Sequence, residues 1–258
     1  MMTGFITIFQ REIARFMKVI VQTVITPFIS SFLYLLIFGV SLGEQMQAHQ
    51  GVSYLAFLIP GLMMMGLINN SFQNSSSSIV SSKFSGDMED LRVAPVTDGE
   101  IIWAMSLGAL VRGSVVAVIT YFVGSMFMLY QQGQWLTIAH PLATLFFLVL
   151  AGLIFGMIGI SIAFWATTFD QLSAFSAFIL LPLTYLGGVF LSIEHLHPFW
   201  QAVSKANPLL YLINGLRFGI IGVSDVNVWT AALISTIGFA VFYGTARWSL
   251  KKCSFQRW

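Results

Sequence analysis

The stretch from Tyr54 to Phe84, "YLAFLIPGLMMMGLINNSFQNSSSSIVSSKF", decides how this chain must fold. Its apolar part ends at Ile68 after about 15 residues, which as a helix reach roughly 22 Å against a hydrocarbon core of about 30 Å. Alone that run does not cross a bilayer. Asn, Gln and a block of four serines, Ser75 to Ser78, come next, a composition that in isolation reads as a flexible linker.

The rest of the chain argues against a linker. Its 258 residues are 57% hydrophobic and 9% charged, with a mean hydropathy of +0.84, whereas soluble domains carry roughly 25% charged residues. The chain is therefore an integral membrane protein. Apolar runs near 20 residues recur without long period-two alternation, so an all-α membrane domain is expected rather than a barrel. A formal net charge of +2 is too small to argue for nucleic acid. Cys253 is the only cysteine, which excludes an intrachain disulfide and gives no zinc or redox pattern. The basic N-terminus precedes a run too long for the apolar core of a signal peptide, so the first span is expected to stay in the protein.

Phe5, Phe9, Ile13, Phe16 and Ile20 recur at helical spacing, with Arg11, Arg15 and Lys18 elsewhere on the wheel. This predicts an interfacial amphipathic helix over about 3–18. Six spans are expected, at about 19–42, 54–82, 98–130, 141–166, 174–191 and 228–250. Thr97 and Glu100 have capping-box spacing before the third, and Pro141 opens the fourth. Pro182, Gly187 and Gly188 allow the fifth to bend or break. The segment from Ser192 to Asn227 is cut by Pro198 and Pro208 into pieces too short to cross, which suits short re-entrant outer helices at about 192–214.

Basic residues orient the chain. Nine of the twelve fall on one side (Arg11, Arg15, Lys18, Lys83, Arg92, Arg247, Lys251, Lys252, Arg257), Arg112 lies within a span, and Lys205 and Arg217 fall outside. Both termini are thus expected in the cytoplasm. Parity then requires a crossing between Ser53 and Lys83, so the serine block must belong to the second span. Asn69, Asn70, Gln73, Asn74 and Ser77 are expected to face a dimer seam or the inner mouth of a route, or else to pack between helices.

Apart from Asp98 and Glu100 in the first turn of the third, no Asp or Glu falls within the six proposed spans, which disfavours ion-coupled transport. His49, His140, His195 and His197 sit in the predicted outer loops without metal-ligand spacing. No nucleophile has a base and orienter beside it, and no Walker sequence is present, so no catalytic residue and no metal are assigned and ATP must be bound elsewhere. Arg112, costly inside a span, calls for a carbonyl, a water-filled cavity or an anionic substrate, unless it snorkels to the surface.

Three passages carry a resemblance that covers nearly the whole chain: "LRVAPVTDGEIIWA" (Leu91 to Ala104), "PLTYLGGVFLSIEHLHPFW" (Pro182 to Trp200) and "NPLLYLINGLRFGIIG" (Asn207 to Gly222). In this order they resemble ABC exporter permeases of the type-2 family, especially its YadH-like and nodulation or drug-export branch. The resemblance implies a permease subunit of the bacterial inner membrane that pairs with a second copy of itself and docks a cytoplasmic ATPase carrying ATP and Mg. It further implies export of a lipid-linked saccharide, lipid or amphipathic drug-like molecule, with no cofactor bound by this chain. Ser85 to Arg92 matches the family's coupling helix, with Asp87, Glu89, Asp90 and Arg92 as charged contacts to the ATPase and Met88 and Leu91 as apolar anchors. The first, second and fifth spans would line the route, with Pro182, Tyr185, Gly187 and Gly188 at an outer closure. A passive channel or scaffold without an ATPase is the alternative.

Overall fold

The computed structural model describes residues 2–41, 51–87 and 94–252. The elements are helical, and no strand is formed among the described residues. They run α1 (Met2–Met17), α2 (Ile20–Tyr34, continued by a π-helical segment Leu35–Ser41), α3 (Tyr54–Ser85), α4 (Asp98–Gln132), α5 (Pro141–Trp165), α6 (Phe169–Leu186), α7 (Pro198–Ala206), α8 (Pro208–Ile221) and α9 (Val228–Lys252). Six of these, α2 to α6 and α9, are long and apolar enough to cross a membrane.

The stretch from Tyr54 to Phe84 is one uninterrupted helix. At 32 residues, α3 is about 48 Å long, so its polar second half carries it across the remaining hydrocarbon. The Ser53 hydroxyl caps its start by accepting from Ala56 N at 3.3 Å, and Gly86, at φ +87, ends it in the left-handed region that favours glycine. α3 is also the axis of the domain. Buried residues make up 78% of its apolar window, against 56% and 61% for α4 and α5 beside it, and only 22%, 17% and 11% for α2, α6 and α9. Three spans form the core and three are lightly packed.

The serines let the core helices approach. Lipid tails are as apolar as side chains, so association inside a membrane depends on close packing and hydrogen bonds. Ser71 Oγ donates to Ala109 O at 3.1 Å on α4, and Ser75 Oγ donates to Gly156 O at 2.7 Å on α5. Across these contacts stand Gly113 and Gly159, where a Cβ would run into the α3 backbone. Ser75, Ser76 and Ser78 are buried.

Other ends follow local chemistry. Thr97 and Glu100 form the reciprocal capping box of α4, and Pro141 opens α5. The fifth span, expected over 174–191, instead occupies Phe169–Leu186. Thr168 caps it by accepting from Gln171 N at 3.3 Å while Gln171 Oε1 accepts from Thr167 N at 2.7 Å, so the residues between the fourth and fifth expected spans already form its first turn. Gly187 caps its other end and Gly188 turns at φ +84, so both glycines lie past the helix rather than within it. A π-helical segment, Ser176–Leu180, precedes Pro182, the distortion expected where a ring and a missing N–H interrupt the ladder. α8 extends to Ile221, seven residues beyond the expected 214, because its apolar side is covered by α3, α5 and α9. At 14 residues and about 21 Å it is too short to cross alone.

α1 is amphipathic, but its buried strip is Ile8, Glu12 and Phe16; Phe5, Phe9 and Ile13 are half-buried beside it. The helix is turned from the expected apolar stripe because Glu12 finds hydrogen-bond donors inside the bundle. Lys83 is also buried: its Nζ donates to the carbonyls of Ala163, Phe164 and Ala166 at 2.8, 2.9 and 3.2 Å, capping α5 and fastening it to the end of α3. Lys83→Met is expected to cost about 2–3 kcal/mol, read from unfolding in detergent micelles. An unchanged unfolding midpoint would mean that these carbonyls find other donors.

Candidate functional site

Two cavities edged by polar side chains lie along the middle of α3 toward its lightly packed neighbours. The larger, about 370 Å³, is lined by Gln73 and Ser77 one turn apart on α3, Arg112 on α4, Ser173 and Ser176 on α6, and Arg15 on α1, with Phe72 and Leu172 as apolar wall. It brings together three of the residues singled out in the sequence, Gln73, Ser77 and Arg112. The smaller, about 150 Å³, lies between α2, α3 and α4 and is lined by Asn69, Asn70, Ser30, Ser31, Thr26 and Thr120. Asn69 Nδ2 and Asn70 Nδ2 donate to the Met65 and Gly66 carbonyls of their own helix, both at 3.0 Å.

Asn74 belongs to neither cavity lining and is fully buried. Its carbonyl accepts from Arg15 Nη2, as does its Oδ1 at 3.2 Å, while Arg15 Nη1 donates to Ser77 Oγ at 3.0 Å. Glu12, also fully buried, faces Arg15 at 3.1 Å and accepts from Ser78 Oγ at 2.5 Å. Asn74 thus positions Arg15 rather than facing a route. Arg112 makes no hydrogen bond or ion pair among the described residues, and its Nε is buried without a partner.

At the far end of α3 a second buried cation organises the turn after α6. Arg217 on α8, counted in the sequence among the outward basic residues, is fully buried. Its Nη2 donates to the Gly188 carbonyl at 2.6 Å, its Nη1 donates to Asn214 Oδ1 at 3.2 Å and lies 4.0 Å from Asp225 Oδ2, and the guanidinium stacks 3.7 Å over the Phe57 ring. Asp225 Oδ2 also accepts from Ile193 N at 3.2 Å. Gly61 lets α3 pass close below, since a Cβ there would stand 2.6 Å from the Val189 carbonyl oxygen. Pro182 and Tyr185 are exposed on α6, with the Tyr185 ring edge-on to Phe190 at 5.2 Å.

Of the expected coupling helix, Asp87 accepts from Ser85 Oγ at 2.7 Å; Met88, Glu89, Asp90, Leu91 and Arg92 lie outside the described residues. Among the described residues no three His, Cys, Asp or Glu cluster as metal ligands. Sequence reasoning missed Glu12 as a buried anchor, Arg15 as a cavity residue and Arg217 as a buried one. Glu12 carried a visible signal, with arginines one residue before it and three after it on the same helix.

The described residues form a helical domain with six helices long and apolar enough to cross a membrane and cavities along them, and comparisons with known proteins give its class. The model of the ABC-2 type transporter family matches residues 3–221. The chain is 38% identical over 244 residues to the inner membrane transport permease YadH of Escherichia coli K12, covering 95% of this chain and 93% of that one. It is 24% identical over 256 residues to nodulation protein J of Rhizobium leguminosarum bv. trifolii, covering 94% and 92% of the two chains. With nodulation protein J of Azorhizobium caulinodans it shares 26% identity over 234 residues, covering 84% and 88%. The chain belongs to the ABC-2 type transporter family and is its membrane permease subunit.

Proposed function

We propose that this permease exports a lipid-linked saccharide, lipid or amphipathic drug-like molecule across the bacterial inner membrane, driven by a separate cytoplasmic ATPase that holds ATP and Mg. Two permeases pair with two ATPases, and membrane lipid surrounds them. The basic residues Lys83, Arg247, Lys251 and Lys252 sit at the end where both termini of the described chain lie, which favours the cytoplasm for that end. Asp87 to Arg92, that is Asp87, Met88, Glu89, Asp90, Leu91 and Arg92, dock the ATPase there. Pro182, Tyr185, Gly187 and Gly188 form the closure at the opposite end.

The observation that carries this reading is the pair of cavities edged by polar side chains on α3 beside the lightly packed α2 and α6. Polar surface in a span is costly against lipid and is kept where a route or a protein partner covers it. The exposed apolar residues Val21, Ile25, Ile29 and Phe32 of α2 supply the surface for a second copy or for lipid.

The test uses the full chain purified from its native membrane. An ATP-hydrolysing partner is expected to co-purify with it in stoichiometric amount. In a background with Cys253 replaced by serine, cysteines at Gln73 and Ser77 should react with a hydrophilic maleimide, while cysteines at Ser75 and Ser78 should not. Mg-ATP should change the Gln73 and Ser77 rates severalfold. Cargo passage without any bound ATPase would instead make the chain a passive channel, and equal labelling of all four positions would remove the route from α3.

A further inference from the structure

Cations inside a membrane domain are kept where something balances them. The larger cavity has two guanidiniums in its wall, Arg15 and Arg112, and no acidic residue in its lining. Glu12 is shared between Arg15 at 3.1 Å and Arg11 at 3.6 Å. Glu12 thus faces Arg15 and Arg11, whereas Arg112 has no ion pair among the described residues and its charge is left unbalanced at the cavity.

The donors in the wall are also unspent. Arg15 Nε, Arg112 Nε, Ser76 Oγ and Ser176 Oγ are all buried without a hydrogen-bond partner, and all four residues line this one cavity. A buried donor left unmade costs about 1–3 kcal/mol, and the Arg112 guanidinium, with no hydrogen bond among the described residues, borders a space that lacks an acceptor. Arginine has only donors, and an oxyanion has only acceptors. A neutral saccharide hydroxyl would satisfy some of the hydrogen bonds but none of the charge, and a cation would be repelled.

We propose that the space between Arg15 and Arg112 binds an oxyanion of the phosphate or sulfate class, with Ser76 and Ser176 completing its hydrogen bonds. Phe72, Phe169, Leu172 and Val19 border the same space with apolar surface, so the anion is held where a hydrocarbon portion joined to it also finds contact. The inference rests on the reading of this cavity as part of the export route and names the chemistry the route selects. The two fail separately, because labelling at Gln73 and Ser77 tests the route with no oxyanion present.

The experiment takes the full chain in maltoside detergent micelles, which carry no phosphate, and follows thermal unfolding against two probes, inorganic phosphate in solution and phosphatidic acid in the micelle. Saturable stabilisation by at least one is expected. Arg112→Gln, which removes no hydrogen bond, should raise the half-saturating concentration roughly ten- to a hundredfold. Ser176→Ala, on a different helix, should raise it severalfold and serves if the arginine variant folds poorly. Response to phosphatidic acid alone assigns the site to a lipid head group, and response to both probes assigns it to an oxyanion that also enters from water. Stabilisation by neither, or a response unchanged in both variants, overturns the proposal.

Discussion

Arg217→Met is expected to lower the stability of the purified chain by about 3–5 kcal/mol, the cost of removing one partner from a buried charge pair. Methionine fills much of the space but donates nothing. The Gly188 carbonyl loses its 2.6 Å donor and Asn214 loses another, while Asp225 loses its guanidinium and Phe57 the cation stacked on its ring. Arg217→Lys should recover part of this, because an ammonium keeps the charge but cannot span the same fork of acceptors. Unfolding in a graded mixture of mild and denaturing detergent reads the difference. A loss under about 1 kcal/mol for Arg217→Met would show that the cluster is not what holds the turn after α6. Pairing the change with Asp225→Asn should cost less than the sum of the two, since removing both charges leaves neither stranded.

Gly159→Ala is expected to destabilise the chain by about 1–3 kcal/mol, the range for overpacking a filled core. Its new Cβ would stand 2.6 Å from the Phe72 carbonyl oxygen and 3.2 Å from Ser76 N, so backbone rather than a flexible side chain must move. α5 would have to draw away from α3, stretching the Ser75 to Gly156 hydrogen bond. Gly244→Ala is the matched control: nothing lies within 4 Å of its added Cβ. There the helix should gain about 0.5–1 kcal/mol from the reduced flexibility of the unfolded chain. The same unfolding assay reads both variants, and equal shifts would mean that α3 and α5 are less tightly apposed than their backbones indicate.

The six spans are legible from the chain alone because the bilayer imposes a rule that acts locally. Backbone polar groups must be satisfied within the segment, so a long apolar run becomes a helix whatever surrounds it. The capping box at Thr97 and Glu100 is readable for the same reason, since it involves only four consecutive residues. The fifth span begins and ends earlier than its apolar centre predicts, because the chemistry of its ends sets its limits. Thr168 and Gln171 have the spacing of a cap, and Gly187 with Gly188 that of a stop.

The candidate site was legible only in part. Gln73, Ser77 and Arg112 do share a cavity, whereas Asn74, one residue from Gln73, is turned into the bundle to hold Arg15. In a soluble helix the apolar stripe would separate those faces. Here it does not, because lipid and protein core are about equally apolar and a span is hydrophobic on both sides.

By itself the sequence determined that this chain crosses the membrane six times, that the polar serine stretch belongs to the second crossing, and which family it resembles. Length, hydropathy and the placement of basic residues carry the first two conclusions, and the passages Leu91–Ala104, Pro182–Trp200 and Asn207–Gly222 carry the resemblance; each is read along the chain. Tertiary structure alone decided that Ser71 and Ser75 are contacts between helices while Ser77 faces a cavity, and that Glu12, Lys83 and Arg217 are buried with partners rather than exposed. The physical reason is that a polar side chain inside a membrane domain takes its role from the acceptor or donor that another helix brings to it. Those partners lie far away in sequence, 89 residues in the case of Ser31 and Thr120, and no local pattern records them.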